Sequence, residues 1–432
     1  MKVLILKDYF IPELIASTHL NQSLYEKMAA DGIQMVLYTP TPTRGITEDD
    51  KKKYRHIKRE SMFDGYMSVH RFSLIQEGKN PIQRAVRYIL QSIIQFNRAV
   101  FAKDAKSCDV MFLGSTPPIM GAVGGMAKKI NHKPFVYCLQ DIFPDSLVGT
   151  GLAKKGGLLW KIGRVIENFT YRNADKIIVI SQDFKRNIMA KGVPEEKIEV
   201  IYNWVDEKAV VDIPRSENVL FDRYGLDRSK FYFTYNGNIG LTQNMDMLLD
   251  VAKALEANED IQFVLVGNGA YLEEVKRIIA ERNVRNVTLL PFQPYEEISH
   301  VFSLGDVSLV ISKPGVGANS VPSKTWSIMS ASRPVLANFD ENELKSILEG
   351  NANLNANDND NLNDKGGAKP CGIFTKAGDK VAFTDAILKL YGDRELCREM
   401  GRNGRAFVMA NLTKEVGTAK YVEVIKSVAD KD

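Results

Sequence analysis

Short apolar runs recur along the chain at regular intervals. In the first half, Lys2–Lys7, Gln34–Tyr38, Met67–Phe72, Val110–Leu113, Phe135–Leu139, Ile177–Ile180 and Ile198–Tyr202 each read as a buried strand. Between them, residues 19–30, 81–105, 117–130, 157–173 and 183–191 repeat apolar positions three and four apart, the period of a helix. Continuous apolar strands separated by helices predict a parallel sheet covered on both faces. Thr41–Glu60 is polar and basic and predicts a loop. The pattern fades across Val205–Ser229 and then restarts. Strands are predicted at Phe231–Tyr235, Phe263–Val266, Val287–Leu290, Val307–Ile311 and Pro334–Ala337, with helices near 244–257, 271–282, 294–303, 322–332 and 341–349. After Gly372 the chain reads as mostly helical. The fold class is therefore α/β: two doubly wound Rossmann-like domains, residues 1–205 and 206–414, with a last helix at about 415–432 expected to pack back on the first. Such sheets bind ligands beyond the carboxyl ends of their strands, so two facing domains predict a site in the cleft between them.

Composition changes this picture little. A chain of 432 residues, 44% hydrophobic and 25% charged, has the balance of a folded protein rather than a disordered one. No run reaches the roughly 18 apolar residues of a membrane span. Lys7 and Asp8 interrupt the opening apolar run, so no secretory leader is expected. Cys108, Cys138, Cys371 and Cys397 are far apart and lack metal-ligand spacing; a reducing cytoplasm is the expected setting. The Asn/Asp-rich tract 351–364 cannot form core and reads as a surface insertion.

Charge is more informative. Residues 1–200 carry a net charge of +10 and the remainder −6. Residues 51–106 alone hold 13 basic and 4 acidic residues, which points to an anionic partner. No nucleic-acid motif accompanies them. The segment from Pro81 to Arg98 is a helical pattern with Arg84, Arg87 and Arg98 at its margins. It reads either as a helix packed on its own core or as one lying on an anionic membrane, with basic side chains around an apolar face.

Several strand-end segments could carry chemistry. Gly237-Asn238-Ile239-Gly240 follows a strand and precedes a helix, where glycines let backbone N–H groups approach phosphate. Gly267-Asn268-Gly269 offers a second close backbone approach. In the segment 313–335, a small-residue loop with Asn319 and Ser320 leads through Pro322-Ser323 into a helix whose first turn holds Lys324, with Ser327 beyond it. Backbone donors, a helix start and an ammonium together make an anion site without a metal. Asp141 and Asp145 follow the strand Phe135–Leu139; Asp145 suits a helix cap and Asp141 a site. Among five histidines none pairs at metal-ligand spacing, and only His19 follows a strand-end loop.

Taken in order, these segments resemble the retaining glycosyltransferase family 4, of the GT-B fold. Tyr9-Phe10-Ile11-Pro12-Glu13 resembles the family's YFxPE turn, and Asp141-Ile142-Phe143-Pro144-Asp145-Ser146 the DLWPDS segment of a bacterial subgroup. Residues 197–206 resemble the KIxVIPNGVD crossover, and Met329-Ser330-Ala331-Ser332-Arg333-Pro334-Val335 the MAAGKPV run. That subgroup includes transferases of N-acetyl-fucosamine-type sugars in O-antigen or capsule assembly. The resemblance implies a UDP-sugar donor as substrate, held mainly by the second domain, an acceptor held by the first, and no cofactor or divalent metal. Lys324, Gly237, Asn238, Gly240 and Gly269 would then face the diphosphate, Phe292 and Gln293 the base, and Asn319, Ser320, Ser323 and Ser327 the sugar and ribose. Asp141 would orient the acceptor, a lipid-linked glycan, while His19, Arg84, Arg87 and Arg98 would lie on the acceptor or membrane face. A peripheral place on the inner face of the cell membrane follows. The sequence departs from the family at three points. The usual basic pair aligns with Asn238 and Gln243, two glutamates align with Asn319 and Ser327, and the histidine before Asp141 is Gln140. Two alternatives stay open: a nucleotide-sugar 2-epimerase of the same fold, and a degenerate transferase serving as a membrane-associated assembly partner.

Overall fold

A computed structural model describes residues 1–13, 18–75, 81–149, 153–317, 322–351 and 369–430. The chain forms two compact units, Met1–Tyr202 with Gly417–Asp432, and Asn203–Val416.

The first unit is built on an eight-stranded sheet: β1 (Lys2–Leu6), β2 (Gln34–Pro40), β3 (Arg59–Met62), β4 (Met67–Phe72), β5 (Val110–Gly114), β6 (Phe135–Leu139), β7 (Lys176–Val179) and β8 (Ile198–Val200). Their order is β3-β4-β2-β1-β5-β6-β7-β8. All neighbours pair in parallel except β3, which runs antiparallel to β4. Val3 to Leu6 of β1 are at most 1% exposed, as a central strand covered on both faces must be. The strand order reverses between β1 and β5, which makes that crevice the topological switch point. The helices are α1 (Thr18–Ala30), α2 (Glu48–Tyr54), α3 (Pro81–Phe101), α4 (Lys103–Lys106), α5 (Met120–Asn131), α6 (Asp145–Gly149), α7 (Leu158–Asn173) and α8 (Gln182–Ala190).

The second unit carries six parallel strands: β9 (Phe231–Asn238), β10 (Ile261–Asn268), β11 (Val287–Leu290), β12 (Val307–Ile311), β13 (Val335–Phe339) and β14 (Gly372–Lys376). Their order is β11-β10-β9-β12-β13-β14, with the switch between β9 and β12. Its helices are α9 (Val219–Tyr224), α10 (Met245–Ala254), α11 (Leu272–Glu281), α12 (Ile298–Phe302), α13 (Lys324–Ser330), α14 (Glu343–Leu348), α15 (Lys380–Gly392) and α16 (Arg394–Asn411). Phe231, Phe233 and Phe263 pack along one face of the sheet, with successive centroids 5.1 and 5.6 Å apart. The last helix, α17 (Lys414–Ala429), belongs from Gly417 onward to the first unit. There Tyr421 is buried, its hydroxyl 3.2 Å from Cys138 Sγ and its ring edge-on to Phe112.

The expected loop Thr41–Glu60 holds α2 and the start of β3. α2 is almost wholly charged, so no apolar period announces it; its signal is Thr47, whose hydroxyl accepts from the Asp50 N–H. β3 is a polar edge strand. β14 also lies where a helix was expected.

Helix α3 is inside out. Its sheet-facing positions are Arg87, Gln91, Ser92 and Gln95, all at most 5% exposed, whereas Ile89 and Ile93 are each 53% exposed. Gln95 donates to the carbonyl oxygens of Lys7 (2.7 Å) and Tyr38 (3.2 Å), and Arg87 donates to the Ile75 carbonyl and to Thr43 Oγ1. Arg87 is therefore an inward anchor and not part of a membrane face as expected. Its buried guanidinium satisfies the Ile75 carbonyl beyond β4 and meets Thr43 Oγ1 beyond β2, while Gln95 satisfies the Lys7 carbonyl at the end of β1. Arg84 and Arg98 are exposed.

Candidate active site

The carboxyl edge of the second sheet is made of bare backbone. β9 and β10 stay paired past their last apolar residues, through Gly237↔Gly267 and Asn238↔Asn268. The two strands approach so closely that a Cβ on Gly267, which has φ +151°, would lie 1.9 Å from the Gly237 carbonyl oxygen. A Cβ on Gly269 would lie 2.2 Å from the Ile239 oxygen. Across the switch point, α13 brings in Lys324. Its Nζ donates to the Asn236 carbonyl oxygen at 3.2 Å and stands 3.7 Å from the centroid of the Tyr235 ring. The Tyr235 hydroxyl in turn donates to the Asn238 carbonyl oxygen at 2.7 Å, which holds the ring flat beneath the ammonium. Burial pulls the Lys324 pKa down to about 7.

Three further buried polar groups end at this edge. The side-chain amide of Asn236, Ser312 Oγ and Thr325 Oγ1 have no hydrogen-bond partner among the described residues. Buried polar atoms without partners are rare, and a polar ligand would satisfy them. α13 has seven residues, too few for a strong macrodipole, so the positive charge here is that of Lys324 itself.

The structure thus brings together Gly237, Asn238, Gly240, Gly269 and Lys324. Ser323 is exposed just before α13 and Ser327 half-buried within it. Asn319 and Ser320 lie outside the described residues. Phe292 is 74% exposed beyond β11, two strands from β9. Gln293 is not available to a nucleotide base as expected. It is 6% exposed, donates to the Tyr224 hydroxyl (2.9 Å) and the Pro291 carbonyl (2.7 Å), and accepts from Arg223. Gln243, where the family places a basic residue, accepts from the Gly240 N–H and braces the turn.

In the first unit Asp141 is exposed beyond β6. Partial desolvation of its carboxylate raises its pKa, against hydrogen bonds from Ser146 and the Ile142 N–H. Asp145 pairs with Lys191 at 2.7 Å, and Lys191 with buried Glu167, which anchors this segment to α7 and α8. His19 is exposed on the first turn of α1. Sequence reasoning missed a second buried polar group at the β1–β5 switch. Lys7 and Asp8 directly follow the apolar run of β1, and that position was their only signal. Burial lowers the Lys7 pKa. Burial pushes the Asp8 carboxyl up to about 7, with Lys7 pulling the other way. Among the described residues no three His, Cys, Asp or Glu side chains converge as metal ligands.

Residues 19–209 match the family described as Glycosyltransferase Family 4, and residues 216–407 match Glycosyl transferases group 1. The chain is 28% identical over 246 residues to a protein of Pseudomonas aeruginosa named as a glycosyltransferase, WbjE, a match that spans 57% of this chain and 61% of that one. It is 24% identical to WcaI of Escherichia coli, named as a colanic acid biosynthesis glycosyl transferase, over 76% of this chain and 81% of that one. Among solved structures it is similar to HepE of Anabaena, crystallised with UDP and glucose (TM-score 0.70, 16% identity, 99% of this chain and 100% of that one). It is also similar to the sucrose-phosphate synthase of Thermosynechococcus elongatus (TM-score 0.74, 15% identity, 99% and 98%). With each unit matched by a sugar-transfer domain family and the fold shared with solved relatives, the chain is a glycosyltransferase of the GT-B fold.

Proposed function

We propose that the protein is a retaining, metal-independent transferase that moves an acetamido- or deoxy-sugar from a UDP-sugar to a polyprenyl-diphosphate-linked glycan. The observation that carries this reading is the desolvated ammonium of Lys324, which has no carboxylate partner among the described residues, beside the bare backbone at Gly237. When the sugar–phosphate bond breaks, negative charge collects on the departing diphosphate. A cation fixed in a dry site stabilises that charge far more than one in water, by about 2.7–4 kcal/mol if it resembles a lost oxyanion donor. HepE with UDP bound and the polysaccharide-related name of WcaI agree with such a donor and such a pathway. The direct test is a thermal-shift screen of UDP-, GDP- and dTDP-sugars, followed by nucleotide release with and without a lipid-linked glycan. UDP release that requires the acceptor is expected. Sugar interconversion without an acceptor would identify an epimerase, and no binding to any nucleotide sugar an assembly partner.

The same reading places the first unit on the inner face of an anionic membrane. The inverted face of α3 supports this, and it does not stand alone. α5 packs against both α3 and α7, and the layer exposes Ile89, Ile93, Met126, Ile130, Leu158, Ile162 and Val165. Arg84, Arg98, Lys129, Lys154, Lys155 and Lys161 are exposed on or beside these helices, whose single carboxylate, Glu167, is buried and paired. Apolar side chains ringed by cations fit an anionic bilayer. No helix among the described residues is long and apolar enough to cross a membrane. Sedimentation with phosphatidylglycerol-containing vesicles should carry the protein down, and pure phosphatidylcholine vesicles should carry much less. Ile89→Asn with Ile93→Asn should cut partitioning at least tenfold, since each buried isoleucine contributes about 1.5–3 kcal/mol. Equal partitioning of the double variant would refute docking through this face.

A further inference from the structure

At the carboxyl end of β1 the first unit buries an ammonium and a carboxylate that do not pair with each other. Lys7 has three N–H donors; among the described residues its side-chain hydrogen bond goes to Asn21 Oδ1, at 2.9 Å, and its ammonium lies 5.8 Å from the centroid of the Phe112 ring. Asp8 is 6% exposed, and its Oδ2 has no partner among the described residues. Tyr25, wholly buried on α1, has a hydroxyl with no partner among the described residues. The three groups lie close enough for Asp8 to act electrostatically on both Lys7 and Tyr25. On the β5 side a Cβ added to Gly114 would lie 3.6 Å from Lys7 Nζ, an ordinary contact distance, so the ammonium stands beside the end of β5.

Stability does not explain this arrangement. Buried ionisable groups without full hydrogen bonding destabilise a fold, and an apolar pair of similar size would serve it better. The place is informative: Lys7 and Asp8 follow β1 at the switch point, where doubly wound sheets receive ligands, and Tyr25 comes near Asp8 from α1. The free hydrogen-bonding capacity is one carboxylate acceptor, an ammonium with donors to spare and one phenol, and the net charge is near zero. Neighbouring hydroxyls of a sugar ring, each able to donate and to accept, match that set. A phosphate dianion has no proton to give the ionised Asp8 carboxylate, whereas a sugar hydroxyl can donate to it and accept from Lys7.

We infer that Lys7, Asp8 and Tyr25 bind hydroxyl groups of the acceptor sugar, so that the acceptor presents a neutral ring and not a bare lipid phosphate. The inference rests on the transferase reading and adds which end of the acceptor the first unit reads. It also places the reaction in a sequence: an earlier transfer of a sugar or sugar phosphate to the lipid carrier must supply the substrate.

The test uses octyl glucoside, octyl galactoside and octyl N-acetylglucosaminide as sugar-ended probes, farnesyl phosphate as the phosphate-ended probe and UDP as a control, with binding followed by saturation-transfer NMR and calorimetry. The wild type should bind at least one glycoside. Asp8→Asn, which keeps the shape, should weaken that binding at least about tenfold, and Tyr25→Phe about threefold or more, with UDP affinity unchanged in both. If Asp8→Asn loses UDP binding through misfolding, Tyr25→Phe decides. Wild-type affinity for the glycoside in the folded variants, failure of every glycoside to bind, or a preference for farnesyl phosphate that Asp8→Asn abolishes would each overturn the inference. Failure of the wild type to bind UDP while a glycoside still binds would sink the donor reading and leave the sugar subsite standing.

Discussion

Replacing Lys324 with Ala should slow sugar transfer about 100- to 1,000-fold, the loss seen when a preorganised partner of a developing anion is removed. The change should fall mainly on kcat, because the charge grows as the leaving group departs. Two further readouts separate this role from a structural one. The first is pH. In the free protein the ammonium has a pKa of about 7, and a bound diphosphate should raise it. UDP binding above pH 7 should therefore take up a proton, and affinity should fall as pH rises, by at most about tenfold per unit. Calorimetry in buffers of different ionisation enthalpy measures the uptake, and Lys324→Ala should abolish it. The second is stability. The unfolded chain keeps this lysine protonated up to about 10.5, so between about 7 and 10.5 it binds more protons than the folded one. This group's contribution to stability therefore grows with pH through that window, and at neutral pH the folded protein carries the full burden of the buried amine. Lys324→Met should raise the melting temperature of the ligand-free protein while it removes activity. A lower melting temperature would contradict a destabilising ammonium at this position.

Gly267→Ala should be among the most damaging single substitutions in the second unit. The new Cβ would sit 1.9 Å from the Gly237 carbonyl oxygen, with φ at +151°. The obstruction is backbone and cannot rotate away. Either β9 and β10 separate where Lys324 is seated, or the unit unfolds, and a loss of at least about 3 kcal/mol is expected. Gly315 is the control. It has φ +82° but open space around an added Cβ, so alanine there should cost only about 1–2 kcal/mol. Chemical denaturation of both variants, with UDP titration, checks the pair. Similar losses at the two positions would show that local conformation, not close strand approach, governs this edge.

Much of the fold was legible because buried parallel strands leave long apolar runs. Met67–Phe72, Phe135–Leu139, Val287–Leu290 and Val307–Ile311 coincide with β4, β6, β11 and β12. What escaped was held by other means. α2 depends on a cap, and β3 on pairing with one neighbour, and neither has an apolar face to show. Lys324 could be singled out because a glycine-containing loop and a helix start frame it in sequence. Lys7 and Asp8 carried no signal beyond their position after β1, and Tyr25 joins them only through tertiary packing. Gln293 and Arg87 misled for the converse reason. A polar residue near a strand end or on a helix margin looks available for ligands until the carbonyls and hydroxyls that consume it are visible.

The return of α17 to the first unit has a genetic consequence. Tyr421, Val422 and Ile425 fill space beside a sheet whose strands are all encoded in the first 200 codons. A stop codon shortly before position 417 would leave the second unit nearly whole and strip a wall from the first. For the same reason, splitting the gene near codon 203 would not give two self-sufficient halves unless the final segment were expressed alongside the upstream fragment.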